Sequence, residues 1–214
     1  MDIVKIFNNG GNVLLLTLPI IYYEQYFLAS IFFLKFFSVN YYVRFAKLYP
    51  HDKYYKWKHL IRLTDTGHIV AALVYIDKRW IPIAYNITFV ITFAYWIAVY
   101  MLGMKDEDDI ENKEVLTWMQ NMHANINHGC YYIWTIYYIS KKEIDYKFDN
   151  SSLQITWSWV LGWYILIYLP WYKKTNDHVY SIMKTRKDTI ITMTMLAIIL
   201  TLSNITGKIL VEFL

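Results

Sequence analysis

The stretch IPIAYNITFVITFAYWIAVYML, residues 81–102, decides the fold because it contains no charged residue. A helix needs roughly 20 mostly apolar residues to cross the hydrocarbon core of a bilayer, and this stretch has that length. The bilayer interior offers no water to the backbone, so a spanning segment of this kind must be helical. The stretch therefore predicts a transmembrane helix near the middle of the chain.

The composition extends this prediction to the whole chain. Of its 214 residues, 57% are hydrophobic and 18% charged, which is too apolar for an ordinary soluble domain. Further apolar stretches predict an all-α, polytopic transmembrane helix bundle of about six helices. Their predicted ranges are 12–37, 60–76, 81–102, 116–139, 153–172 and 189–213. The connections are short and lack Pro, Ser or Gly-rich linkers, which predicts a single integral membrane domain over 1–214.

The distribution of charge indicates which partner the chain has. The formal net charge is +4, and the basic residues lie at the predicted helix ends rather than in one stripe. This pattern favours contact with a lipid bilayer and argues against nucleic acid as a partner. Basic residues are more numerous after predicted helices one, three and five, which places both termini outside. We expect a multi-pass protein of the endoplasmic reticulum or the plasma membrane.

The cysteine and histidine content argues against metal or cofactor chemistry. Cys130 is the only cysteine, so neither an internal disulfide nor a thiolate metal cluster can form. The six histidines are dispersed and form neither the paired histidine boxes of iron-dependent membrane enzymes nor a zinc protease motif. The sequence therefore predicts no metal and no cofactor.

Three polar side chains at predicted membrane depth are candidates for chemistry, namely Thr64, His123 and His128. Polar groups are costly there and are often functional. The two histidines are about 140 degrees apart around a regular helix, so at most one of them faces a given pocket. Each residue also has a structural interpretation, because a threonine hydroxyl can bond to the carbonyl one turn earlier and a histidine to water or carbonyls.

Several segments carry a resemblance to a known family. They are Trp57-Lys58 with Leu63-Thr64, Ile69–Tyr75, Tyr95–Tyr100, Gly162–Leu166 with Trp171, Val179-Tyr180, Ile199-Leu200 and Gly207–Leu210. In order and spacing they resemble the second, third, fifth and final helices of the androgen-induced and androgen-dependent TFPI-regulating membrane protein family. The resemblance covers most of the chain after Trp57.

This resemblance implies a membrane hydrolase that cleaves fatty acid esters of hydroxy fatty acids with a threonine nucleophile and a histidine base. The family's threonine corresponds to Thr64. Thr66 is the alternative, about 200 degrees further round the helix. Counting back from Gly162 places the base at His128, whereas counting forward from Trp96 places it at His123. His128 is preferred, because loops accept insertions more easily than helices.

The implied substrate pocket includes Trp96, Asn125 and Asn127, and its ligand is a lipid ester. The competing hypothesis is a non-catalytic multi-pass membrane protein, either a regulatory scaffold or a small-molecule transporter. A transporter is expected to show inverted repeats with helix-interrupting Gly or Pro at matched positions, and the glycines here do not form such pairs. A scaffold would keep its effect after loss of Thr64.

Overall fold

The computed structural model describes residues 61–102, 124–176, 178–183 and 185–214. These residues form five helices and no strand. The helices are α1 (Leu63–Leu73), α2 (Ile81–Met101), α3 (Tyr131–Ser140), α4 (Asn150–Trp163, the π segment Tyr164–Tyr168 and Leu169–Thr175) and α5 (Arg186–Phe213). A π segment, Ile126–Cys130, leads directly into α3. The predicted all-helical class is confirmed for these residues, and the predicted helix at 12–37 lies outside them.

Helix α2 lies at the centre of the described structure. All of its residues from Ile81 to Ile91 are buried, and α2 contacts α1, α3, α4 and α5. The lack of charge on this helix permits burial on every side. Pro82 occupies the first turn, where its missing N–H removes no helical hydrogen bond. The sequence places this helix at 81–102, and the structure places it at Ile81–Met101.

Two helices in the described residues are long and apolar enough to cross a membrane. They span Lys78–Met101, with a mean hydropathy of 1.5, and Arg186–Phe213, with 1.8. Helix α5 exposes Ile198, Leu202, Ile205 and Ile209, which share one helical face. Helix α1, in contrast, has 11 residues where the sequence predicted a span at 60–76, and that length is too short to cross the hydrocarbon core alone.

The beginnings of the helices are fixed in different ways. Asp149 caps α4 by accepting the Ser152 N–H at 2.9 Å, and Thr185 with Asp188 forms a capping box at the start of α5. Helix α1 follows Arg62, which has an extended backbone and makes no side-chain cap hydrogen bond. The Asp65 N–H bonds locally to Arg62 O, and the Leu63 N–H bonds to the distant Tyr180.

A buried polar network joins α2, α4 and α5. The Asn86 side-chain amide donates to Asn204 Oδ1 at 3.2 Å and to Thr156 Oγ1 at 3.4 Å. Ser203 Oγ donates to Asn86 Oδ1 at 3.1 Å. All four side chains are buried, so these bonds between helices satisfy groups that water does not reach.

Replacing Asn86 with leucine tests how much this network contributes to the stability of the fold. Asn86→Leu removes the buried hydrogen bonds that Thr156, Ser203 and Asn204 make to Asn86, so we expect the free energy of unfolding to fall by about 1–3 kcal/mol. Equilibrium unfolding of the purified protein measures the change. Thr201→Val is the matched control, because the exposed Thr201 hydroxyl bonds only to Ala197 O in its own helix. Equal stability of the two variants would contradict the assignment.

Candidate active site

Thr64 lies in the first turn of α1, and its side chain is buried, with 7% of its surface exposed. Its Oγ1 atom is 3.4 Å from Nε2 of His128, which lies in the π segment before α3. The structure therefore brings together the threonine and the preferred histidine of the sequence analysis. The other histidine candidate, His123, lies outside the described residues.

The contact of His128 Nδ1 determines which ring nitrogen carries the hydrogen, and therefore whether Nε2 can accept a hydrogen bond. Nδ1 is 3.0 Å from the carbonyl oxygen of Ala124, and a carbonyl oxygen only accepts hydrogen bonds. We therefore assign the hydrogen to Nδ1, which leaves Nε2 with a lone pair directed at the Thr64 hydroxyl. In this tautomer Thr64 donates to His128, as a nucleophile does to its general base.

Neighbouring aromatic residues of α2 hold His128 in place. The Tyr95 ring stacks on the imidazole, with 3.6 Å between centroids and 4° between planes. The Trp96 indole N–H donates to the His128 carbonyl oxygen at 3.0 Å. From α1, His68 Nε2 lies 3.2 Å from the carbonyl oxygen of Asn127 and donates to it. The π segment is thus held through its backbone by side chains of two other helices.

A mostly apolar cavity adjoins the Thr64 and His128 pair. Both residues line it, and its walls include the aliphatic side chains of Val90, Ile91 and Leu196. The start of α1 also faces this cavity, and helix starts carry partial positive charge from their N–H groups. The cavity can therefore hold an apolar group while polar groups act at one of its walls.

The three residues assigned to the substrate pocket from the sequence take other positions. Trp96, Asn125 and Asn127 are not among the residues that line this cavity. Trp96 donates a hydrogen bond to the backbone of His128, and both asparagines are buried in the helix that carries the histidine. The alternative nucleophile, Thr66, donates its hydroxyl to Leu63 O at 3.0 Å and does not line the cavity either.

Sequence reasoning missed three aromatic residues that line the cavity: Tyr95, Trp163 and Tyr180. The Tyr180 hydroxyl accepts the backbone N–H of Leu63 at 2.9 Å, and the Trp163 indole donates to Ile61 O at 2.7 Å. All three lie in segments that carry the family resemblance, but the 21 tyrosines and nine tryptophans of the chain indicated an aromatic belt at the membrane interface rather than a site role for these residues.

Metal-binding side chains do not cluster in this part of the chain. Within residues 61–102, 124–176, 178–183 and 185–214, no group of three His, Cys, Asp or Glu side chains is arranged to hold a metal ion. Cys130, next to the site in sequence, is buried and forms no disulfide with a described residue. The polar side-chain groups among the residues that line the cavity are hydroxyls, the imidazole of His128 and the indole of Trp163.

Comparison with known proteins identifies no relative. No family model, no curated protein and no solved structure matches the chain. The resemblance to the androgen-induced family thus stays a prediction from the residues that carry it.

The assigned tautomer of His128 gives a prediction that does not depend on any substrate. In ¹⁵N NMR of histidine-labelled protein, we expect Nδ1 of His128 to be protonated and Nε2 to be unprotonated. Thr64→Val removes the hydroxyl donor and should shift the Nε2 resonance while Nδ1 stays protonated. Thr66→Val is the matched control and should shift neither nitrogen, because Thr66 bonds to Leu63 O. A protonated Nε2 in the wild-type protein would contradict the assignment.

Proposed function

We propose that this protein is a multi-pass membrane enzyme of the endoplasmic reticulum or plasma membrane that hydrolyses carboxylic esters of lipids. Thr64 is the nucleophile, and His128 is the general base. The observation that supports this proposal is the contact of Thr64 Oγ1 with His128 Nε2, 3.4 Å apart at the wall of an apolar cavity. The residue-level resemblance suggests fatty acid esters of hydroxy fatty acids as substrates.

The pair has the geometry that acyl transfer requires. A nucleophilic hydroxyl needs a base within hydrogen-bond reach, and the base needs a third group to orient it. Here the Ala124 carbonyl fills that third role through His128 Nδ1. When Nε2 takes the Thr64 proton, the imidazole becomes positively charged, and the hydrogen bond to Ala124 O stabilises that charge.

The reaction proceeds in two halves. Thr64 Oγ1 bonds to the ester carbonyl carbon, its proton moves to His128 Nε2, and the carbonyl electron pair moves onto oxygen. Collapse of this tetrahedral species breaks the ester C–O bond, and His128 returns the proton to the departing alcohol. Water then attacks the acyl-threonine with the same base, which releases the fatty acid and restores Thr64.

The cavity favours a lipid substrate. Apart from Thr64, His128 and Thr192, its walls are formed by aliphatic, methionine and aromatic side chains. Ligand sites of this composition bind apolar groups and orient them with a few polar contacts. An acyl chain held against Val90, Ile91 and Leu196 leaves its ester carbonyl at the polar wall. This arrangement favours esters with an apolar acyl group.

Hydrolysis by site variants tests the proposal. With a fatty acid ester of a hydroxy fatty acid as substrate, we expect Thr64→Ala and His128→Ala to lose activity by about 100-fold or more, since each removes one member of the nucleophile and base pair. Thr64→Ser keeps a hydroxyl and should retain measurable activity. Release of the fatty acid by membranes with matched protein levels measures the rates.

Two controls separate this site from its neighbours. Thr66→Ala removes a buried hydroxyl two residues away that lies outside the cavity, and it should keep the wild-type rate. His123→Ala distinguishes the two histidine candidates and should also keep activity. Equal rates in wild-type, Thr64→Ala and His128→Ala membranes would reject the enzyme and favour a non-catalytic membrane protein.

The membrane arrangement can be tested independently of activity. Lys147 is exposed and lies between α3 and the start of α4. Lys187 is exposed and lies at the start of α5, which follows the end of α4 in the chain. If α4 and α5 cross the membrane, an impermeant maleimide added to one face of sealed membranes should label only one of Lys147→Cys and Lys187→Cys, and the other only after permeabilisation. The wild-type protein is the control, because Cys130 is buried. Labelling of both cysteines from one side would contradict the multi-pass arrangement.

A further inference from the structure

Two aromatic side chains hold the backbone just before Thr64. The Tyr180 hydroxyl accepts the Leu63 N–H at 2.9 Å, and the Trp163 indole N–H donates to Ile61 O at 2.7 Å. Their rings contact each other, with 6.0 Å between centroids. Leu63 is the first residue of α1, where the preceding Arg62 makes no side-chain cap. Tyr180 therefore supplies the missing cap from 117 residues away.

This cap leaves the Tyr180 hydroxyl with a hydrogen to donate. A phenol both accepts and donates, and the bond from Leu63 uses only a lone pair of its oxygen. Burial raises the pKa of Tyr180, an effect that Arg62 and Thr64 reduce only in part, so the phenol stays protonated at neutral pH. Tyr180 and Thr64 line the same cavity, and their side chains are close enough to interact.

We propose that Tyr180 is a further catalytic residue, whose hydroxyl donates a hydrogen bond to the negatively charged oxygen formed when Thr64 attacks an ester. This inference rests on the hydrolase function proposed above. It is carried by the position of the hydroxyl, which accepts the Leu63 N–H and neighbours Thr64, and by the place of Tyr180 in the wall of the same cavity. The start of α1 adds partial positive charge on the same side.

Tyr180 acts while Thr64 attacks the ester carbonyl and the tetrahedral species forms. As the bond from Thr64 Oγ1 to the carbonyl carbon forms, the electron pair of the C=O double bond moves onto the oxygen. Tyr180 donates a hydrogen bond to that oxygen and keeps its proton, so no atom is transferred. When the C=O bond reforms and the alcohol leaves, the hydrogen bond weakens. The residue therefore stabilises the transition state more than the bound ester.

The substitution Tyr180→Phe removes the hydroxyl and retains the ring that packs on Trp163. We expect kcat to fall about 100- to 1,000-fold, the usual effect of removing one oxyanion donor, with little change in KM. The affinity for an alkyl trifluoromethyl ketone, which forms a charged tetrahedral adduct with a nucleophilic hydroxyl, should fall in parallel. The affinity for a long-chain ether that lacks the carbonyl should stay at the wild-type value.

The matched control is Tyr168→Phe. Tyr168 is a buried tyrosine whose hydroxyl lies 2.9 Å from His178 Nδ1, and it does not line the cavity. This variant should keep the wild-type kcat and both affinities. Similar losses in Tyr168→Phe and Tyr180→Phe, or equal loss of ether and ketone binding in Tyr180→Phe, would show that Tyr180 is only structural. Wild-type kcat and ketone affinity in Tyr180→Phe would overturn the inference directly.

The Thr64→Ala variant separates the two proposals. If it is inactive while Tyr180→Phe keeps the wild-type rate, the hydrolase stands and the role of Tyr180 fails. If Thr64→Ala is as active as the wild-type protein, both fail.

A further variant, Leu63→Pro, decides the matter if Tyr180→Phe does not fold and binds no ether. This substitution deletes the Leu63 N–H, which donates to the Tyr180 hydroxyl. Proline is compatible with the first helical position and with the extended backbone of Arg62 before it. An oxyanion role requires that the ratio of ketone to ether affinity stays at the wild-type value. A role limited to capping α1 requires that this ratio falls.

Discussion

The burial of α2 among four other helices is the constraint on which the rest of the structure depends. Because this helix carries no charge, it can be enclosed, but its few polar groups must then find partners on other helices. Near its start, Asn86 bonds to residues of α4 and α5. Near its end, Trp96 bonds to the backbone of His128, and Tyr95 stacks on the ring. One helix thus joins the bundle at one end and supports the candidate site at the other.

The π segment before α3 gives His128 its position. The residue has non-helical dihedral angles, φ −117° and ψ 19°, inside an otherwise helical run. Such segments interrupt the regular hydrogen bonds of a helix and are frequent at functional sites. Here the carbonyls of Asn127 and His128 accept bonds from His68 and Trp96. Neighbouring helices therefore stabilise a local geometry that directs the imidazole at Thr64.

The parts of the fold and site that could be predicted are those with a local signal. The central helix followed from a charge-free run at 81–102, and the Thr64 and His128 pair followed from the family resemblance. The pocket role given to Trp96, Asn125 and Asn127 relied on residue type, which does not show which way a side chain faces. Tyr180 lies in a segment that carries the resemblance, but no local pattern shows its contact with Leu63, which is 117 residues away. The π segment also lacks a sequence signature and alters the helical periodicity on which angular estimates depend.

The start of α1 links the fold of the bundle to the chemistry of the site. Thr64 lies in the first turn of α1, and α1 has no side-chain cap at Arg62. Its first turn is held by Tyr180 and, through Ile61, by Trp163, and both also form the cavity wall. Thr64 is therefore positioned beside His128 through the docking of α4 and the segment before α5 against α1. Assembly of the cavity and placement of the Thr64 hydroxyl beside His128 are thus coupled through the same two side chains.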